Sequence, residues 1–233
     1  MAKVRLEITK GDEIRCLSHL DYARTIERAL RRSKLPVAYS EGFNPHMKVA
    51  YASALGVGVA SDAEYMDLEL SGDLPLAEIE QRFACQLPPG IVLKRLKFMG
   101  DRTQALMAIV NQAVYEVTVP LADGADDSNF FASLNSFAAA QQVIYVKESP
   151  KGRREIDVKQ LLAAPIQATV TDRAATLHIV IHITKTGSVK ASEVLSALAD
   201  SFGLPVKKDS ANINRTALYI ADNKTQLTPM EIL

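Results

Sequence analysis

The order of hydrophobic periods over residues 1–100 is the feature that most constrains the fold of this chain. Apolar and polar side chains alternate over residues 4–8, which is the period of a strand with one buried face. Ser18 then provides an N-cap, and the apolar positions that follow have helical spacing, so we predict a helix over 18–33. With the hydrophobic periods of the residues that follow, the predicted order over residues 1–100 is strand, helix, strand region, strand, helix, strand. That order is typical of a split βαβ, or ferredoxin-like, unit.

The second part of the chain shows the same kind of pattern with a different sequence. Alternating side chains over 114–119 and 175–184 predict strands, and the spacing over 191–202 predicts a helix before a glycine and a proline. We therefore predict an α+β protein made of two ferredoxin-like units with antiparallel sheets. The first unit is expected to cover residues 1–105 and the second residues 106–233.

Composition limits the classes of function. Apolar residues make up 48% of the chain, as in a soluble globular protein, and the 27 basic and 27 acidic residues cancel. With no net charge, any binding to nucleic acid must come from a local patch. The two cysteines lack the spacing of a metal site, so we expect neither a metal nor a cofactor. Without a signal peptide or a run of 18 apolar residues, we expect a cytoplasmic protein that does not bind membranes.

Two clusters of basic side chains are candidate phosphate-binding groups, because the guanidinium fork matches phosphate oxygens. The first follows the outer face of the predicted first helix and contains Arg24, Arg28, Arg31, Arg32 and Lys34. The second, with Arg153 and Arg154, lies between two predicted strands. The alternative for both is a solvated surface, on which the first cluster would pair with Glu27 along the helix.

A polar turn over residues 41–48 combines side chains of several chemical types, which are Glu41, Asn44, His46 and Lys48. Imidazole titrates near neutral pH and an ammonium group stabilises a developing anion, so His46 and Lys48 are candidate catalytic residues. His19, in the first turn of the helix, is a third candidate. The alternatives are a structural turn with a surface histidine and a packed histidine in the core.

Several segments of the sequence resemble the signature of the bacterial radical-SAM-linked proteins, a domain family of unknown function. These segments are 18–21, 28–33, 35–46 and 64–68, together with Arg24. Met47 stands where the signature has proline. The resemblance implies a module fused to, or encoded beside, a radical SAM enzyme. Since this chain has no three-cysteine cluster motif, the resemblance implies the accessory half, with the radical SAM enzyme as a partner on a separate chain.

The sequence contains no motif of a nucleotide-binding loop, a nucleophile elbow or a zinc protease. Three functions agree with the features that are present. We expect first an accessory module, and not an enzyme, which binds tRNA, rRNA or the partner enzyme through the basic helix and the polar turn. The alternative is a metal-independent RNA-processing or RNA-modifying enzyme that uses His19 and His46, because the fold order also resembles CRISPR repeat endonucleases. The third is a protein-interaction scaffold that binds no RNA.

Overall fold

The computed structural model forms two compact units, each of which combines helices with an antiparallel sheet. It describes residues 2–100, 103–149, 152–222 and 224–232. The first unit consists of Met1–Asn111 and Ala217–Leu233, and the second of Gln112–Thr216. None of the helices in the described ranges has the length and apolar character needed to cross a bilayer.

The first unit has the order of elements that the sequence predicts. These are β1 (Ala2–Lys10), α1 (His19–Arg32), β2 (Val49–Tyr51), β3 (Val59–Leu70), α2 (Leu76–Ala84), β4 (Leu93–Met99) and the short α3 (Leu106–Ile109). Strand β1 pairs antiparallel with β3 on one side and with β4 on the other, and β2 pairs antiparallel with β3. The strand order is therefore β4, β1, β3, β2.

Helix α1 confirms the helix predicted over 18–33, and two local features fix it. The Ser18 hydroxyl accepts a hydrogen bond from the Asp21 amide at 3.2 Å, which is an N-cap. One face packs into the core with the apolar side chains of β1. The buried residues of that face are Tyr22, Ile26, Ala29 and Leu30. Because their spacing of three and four residues covers a single stripe, the opposite face of α1 is left to solvent.

Strand β1 departs from the predicted alternation of one buried and one solvated face. Arg5 is fully buried and Glu7 is 3% exposed, although both lie opposite the apolar side chains of the strand. Asp67 of β3 accepts two hydrogen bonds from the Arg5 guanidinium. The polar face of β1 is therefore buried through ionic pairing, which the alternation alone does not reveal.

The second unit has an antiparallel sheet and a separate hairpin. Its elements are β5 (Gln112–Pro120), α4 (Asp127–Ala139), β6 (Ile144–Ser149), β7 (Gly152–Asp157), α5 (Val158–Leu161), β8 (Gln167–Thr171), β9 (Ala174–His182), α6 (Ala191–Phe202) and the first part of β10 (Asn212–Ala221), which from Ala217 onward belongs to the first unit. Strand β9 lies between β5 and β8 and is antiparallel to both, while β6 pairs with β7. The rings of Phe137 and Phe202 pack edge to face at 5.3 Å and join α4 to α6.

The chain returns to the first unit at its C-terminal end, which differs from the predicted division into 1–105 and 106–233. Strand β11 (Gln226–Leu227) pairs with the end of β10. The Asn111 side chain donates to the Ala221 carbonyl at 2.7 Å and accepts from the Ala221 amide at 2.8 Å. The carbonyl of Pro229 accepts a hydrogen bond from Arg5 at 3.0 Å. These contacts join residues far apart in sequence, so local periodicity could not predict them.

Candidate functional site

An exposed row of side chains follows the outer face of α1, and we call Arg24, Arg28 and Arg31 the arginine stripe. Their i, i+4 and i+7 spacing places the three guanidinium groups in one arc of the helix. The side chains of Arg24 and Arg31 are 65% and 62% exposed, and Arg28 is also exposed. Leu20, four residues before Arg24, is 66% exposed and extends the row toward the helix start.

The intrachain partners of the arginine stripe are solvent-accessible, with Asp21 exposed and Glu27 partly exposed. Arg24 donates to the Asp21 carboxylate at 3.2 Å, and the Arg31 guanidinium lies 3.9 Å from the Glu27 carboxylate. The Ser18 hydroxyl lowers the pKa of Asp21, and the nearby charges of Arg24 and Arg28 lower it further. Exposed ion pairs of this kind contribute little to stability. The guanidinium groups can therefore exchange these partners for a bound anion at small cost.

The other predicted arginines have structural partners. Arg32 donates to the Gln86 carbonyl at 2.8 Å and ties the end of α1 to the segment after α2. Arg153 and Arg154 lie within β7 and not in the predicted loop, because this segment pairs with β6. Arg153 lies 3.7 Å from Glu155, and Arg154 donates to the Thr186 carbonyl at 3.1 Å. These two arginines are part of the second unit.

The polar turn is held by hydrogen bonds between its two sides. The His46 amide donates to the Ser40 hydroxyl at 3.1 Å, and His46 Nδ1 lies 3.1 Å from the same oxygen and 3.3 Å from the Asn44 carbonyl. Gly42 has φ +118°, which a side chain would strain. Glu41 and Asn44 are exposed. His46 therefore orders the turn, and the residues between Ser40 and His46 face solvent.

Phe43 is the most exposed large apolar side chain of the described residues. It is fully exposed at 105% of the reference area, and Tyr39, at the base of the turn, is 46% exposed. Phe43 is not among the candidate residues that the sequence pattern indicated. An aromatic residue in an otherwise polar turn was the signal that could have identified it.

The polar turn lies toward the C-terminal half of α1. Strands β1 and β2 run in the same direction, since both are antiparallel to β3. Tyr51 at the end of β2 packs against His19 at the start of α1. The start of β2, and the turn that precedes it, therefore lie toward the helix end that carries Arg28 and Arg31.

Lys48 belongs to an ionic cluster along β2 and β3. Its ammonium lies 3.1 Å from the Glu69 carboxylate, and that of Lys3 lies 3.6 Å from Asp67. These four side chains line a cavity of about 140 Å³. That volume is well below the roughly 300 Å³ of the smallest usual ligand pockets. Lys48 is thus half-buried, and its ammonium group is paired with the Glu69 carboxylate.

The Arg5 and Asp67 pair forms the buried part of this cluster. The guanidinium donates to both carboxylate oxygens, at 2.7 and 3.0 Å, and the exposed fractions are 0% for Arg5 and 2% for Asp67. Two parallel charge-assisted hydrogen bonds fix the geometry. The pair positions β3, which carries the partners of both lysines.

His19 packs against the partly buried ring of Tyr51. Its imidazole meets the Tyr51 ring edge to face, with 5.3 Å between centroids and an angle of 83°. The Tyr51 hydroxyl is buried and has no hydrogen-bond partner among the described residues. Burial, with the negative charges of Glu27 and Glu64, raises the pKa of Tyr51 far above its usual value. His19 and His46 thus have separate local partners, and the described residues contain no group of three or more His, Cys, Asp or Glu side chains arranged to hold a metal.

Tyr51→Phe is expected to leave the free energy of unfolding unchanged or to raise it by up to about 1 kcal/mol. A buried hydroxyl without a partner carries a desolvation penalty of about 1–3 kcal/mol, which phenylalanine removes at nearly equal volume. Urea denaturation of both proteins measures the difference. As the control, Tyr22→Phe removes a hydroxyl that donates to the Thr9 carbonyl at 2.7 Å and should destabilise. A loss above 1 kcal/mol in Tyr51→Phe would mean that the hydroxyl is bonded.

The second unit contains a larger cavity, of about 360 Å³, at the C-terminal end of α4. Its walls are mostly apolar, and Lys159 is the charged residue among them. The Lys159 ammonium donates to the carbonyls of Phe137 and Ala138 at 3.2 and 3.1 Å. The Ala140 amide also donates to the Phe137 carbonyl, at 3.2 Å, so Lys159 adds a charged donor to the carbonyl groups at the helix end.

Two solved structures are similar to this fold. The first is a crystal structure of a Cbf5-Nop10-Gar1 complex, with a TM-score of 0.53 and 11% identity over 99% of this chain and 53% of the other. The second is that of the archaeal box H/ACA sRNP Nop10-Cbf5 complex, with a TM-score of 0.44, 10% identity and coverage of 92% and 46%. The chain thus spans about half the length of these two chains. At such identity the first likeness shows the fold alone.

Sequence comparison gives a family without an assigned activity. No curated protein matches the chain. Residues 3–191 match the model of a family described as an uncharacterized protein conserved in bacteria, and this range includes the arginine stripe, the polar turn and the Arg5 and Asp67 pair. Because the match covers most of the chain, the protein belongs to this bacterial family, DUF2344.

Proposed function

We propose that this protein is an RNA-binding accessory module whose contact surface is the arginine stripe and the polar turn. The observation that carries the proposal is the row of three exposed guanidinium groups on one face of α1. The formal net charge of the chain is zero, so the protein as a whole exerts no long-range attraction on polyanions. A local concentration of arginine is then the feature that matches a phosphate backbone.

The length of the arginine stripe suits a run of neighbouring phosphates. Arg24 and Arg31 are seven positions apart, which corresponds to about 10 Å along a helix that rises 1.5 Å per residue. In double-stranded DNA, stacked bases place successive phosphates of one strand about 3.4 Å apart along the axis, and we use this spacing as the guide for a stacked strand. Three guanidinium groups over this distance can face about three successive phosphates of one strand.

The direct test is RNA binding by the native protein at several salt concentrations, measured by fluorescence anisotropy with fragments of tRNA and rRNA. Each phosphate contact is expected to add about −0.7 to the slope of log K against log salt concentration, so three contacts give a slope of about −2. Binding that is absent, or that does not respond to salt, would overturn the proposal.

We propose further that the partner of this module is a radical SAM enzyme on a separate chain, in the cytoplasm. The support is the resemblance of the stripe and turn segments to the radical-SAM-linked signature. The native protein is expected to co-purify with a radical SAM enzyme encoded beside it. In a variant with Arg24, Arg28 and Arg31 changed to Glu, capture of the enzyme should persist while RNA binding is lost. Failure of the native protein to capture the enzyme would contradict this partnership but would leave RNA binding standing.

We also propose that both units follow the ferredoxin-like plan. In the first unit the support is the strand order β4, β1, β3, β2 with two helices as connections. In the second unit, β5, β9 and β8 are consecutive neighbours, and α4 and α6 follow β5 and β9 in the chain. The hairpin of β6 and β7 is then an insertion after α4.

A further inference from the structure

We propose that Phe43 is a base-stacking residue and that the RNA segment held at the polar turn is single-stranded. This inference rests on the proposed function, because it assigns the class of RNA that the same surface takes. Unpaired bases present their faces to a protein, whereas the faces of paired bases are covered by their neighbours in the stack.

The exposure of Phe43 is the first argument. A fully exposed phenylalanine gains none of the roughly 1.5–3 kcal/mol that burial of such a side chain provides, so its presence does not stabilise the fold. The turn that carries it is fixed by the bonds between His46 and Ser40 on either side. The ring is thus presented on an ordered support, which lowers the entropy lost when it binds a flat partner.

Two further rings lie on the same turn. The Ser40 amide donates to the His46 carbonyl at 2.9 Å, and Tyr39 forms a β-bridge with Met47, so His46 lies opposite Ser40 and Tyr39 lies opposite Met47 at the base of the turn. Tyr39 and His46 are both exposed. Each arm of the turn thus carries one exposed ring, and Phe43 at the tip provides a free aromatic face of the kind on which proteins stack an unpaired base.

The charges around the turn favour a base over a phosphate at the tip. Glu41 is exposed two residues before Phe43 and repels phosphate, whereas the face of a base carries no charge. The positive charges of the arginine stripe lie on α1. The polar turn lies toward the C-terminal half of this helix. This separation suits a single strand that places its phosphates along the stripe and its bases on the turn.

The test compares Phe43→Ala with the native protein on a short single-stranded RNA and on the same strand annealed into a duplex. Loss of the ring is expected to weaken binding of the single strand about tenfold, within the range of one stacked base, and to leave duplex binding unchanged. Phe43→Trp should restore the affinity for the single strand. Met107→Ala, which removes another side chain of the first unit that is 76% exposed, serves as the matched control and should change neither affinity.

The outcomes separate this inference from the proposed function. Suppose that the native protein shows salt-dependent RNA binding and that Phe43→Ala has the native affinity both for the single strand and for the duplex. In that case the stacking role of Phe43 is wrong and the proposed function stands. If the native protein binds no RNA, both are wrong. If Phe43→Ala instead loses capture of a radical SAM enzyme with RNA binding intact, the turn is a protein-docking surface and stacking is overturned. Because the ring is fully exposed, thermal unfolding should be unchanged and shows that the variant is folded.

Discussion

Asp67→Asn is expected to lower the free energy of unfolding by about 3–5 kcal/mol, which is the usual loss when one partner of a buried ion pair is removed. Arg5 is 0% exposed, and Asp67 accepts two of its hydrogen bonds. An amide in that place removes the countercharge and turns donor hydrogens toward the guanidinium, so a buried positive charge is left without compensation. Urea denaturation followed by circular dichroism measures the loss.

Two controls define the cause of this loss. The double variant Arg5→Met with Asp67→Leu removes both charges and should be much more stable than Asp67→Asn, since apolar side chains of similar volume often replace buried ion pairs without loss. Glu78→Gln breaks the exposed pair with Arg82 on α2 and should change stability by less than about 1 kcal/mol. An Asp67→Asn protein as stable as Glu78→Gln would show that the buried pair does not stabilise the first unit.

Changing Arg24, Arg28 and Arg31 together to glutamine is expected to reduce RNA affinity about 100-fold near 0.1 M salt. Three lost phosphate contacts also make the salt dependence shallower by about 2 in the slope of log K against log salt concentration. Glutamine favours helices about as well as arginine, and the stripe is exposed, so α1 should remain folded. Fluorescence anisotropy at several salt concentrations measures both effects.

The matched control for this variant changes three other exposed basic residues, Arg82, Arg173 and Lys185, to glutamine. It lowers the net charge of the protein by the same amount at positions away from α1. The control is expected to retain nearly the full affinity and slope. Equal losses in the two triple variants would show that net charge, and not the arginine stripe, governs RNA binding.

The sequence predicted those parts of the fold that depend on neighbouring residues. Helix α1 was expected over 18–33 and is found at His19–Arg32, because the Ser18 cap and the apolar period are local signals. Helix α6 was expected over 191–202 and lies at Ala191–Phe202 for the same reason, with Gly203 in the left-handed conformation that ends it. The exposure of Arg24, Arg28 and Arg31 also followed from the helical period.

Features that depend on distant residues were not predictable in this way. Arg5 and Asp67 are 62 positions apart, so the alternation of β1 indicated a solvated polar face where the structure has a buried pair. The partner of Arg32 lies beyond α2, and only the folded chain shows that this arginine is engaged. Phe43 shows the reverse case. An apolar residue is expected to be buried, but the structure shows that nothing covers the Phe43 ring.

The contact of Arg5 with Pro229 has a consequence for the order of events during synthesis. The residues that complete the first unit, from Ala217 onward, are translated after all of Gln112–Thr216. At about 5–20 residues per second, that intervening stretch takes roughly 5–20 seconds to emerge from the ribosome. For that interval the nascent first unit holds Arg5 and Asp67 without the Pro229 carbonyl that closes their hydrogen-bond network. The second unit can therefore reach its folded state before the first unit, although its segment begins later in the chain.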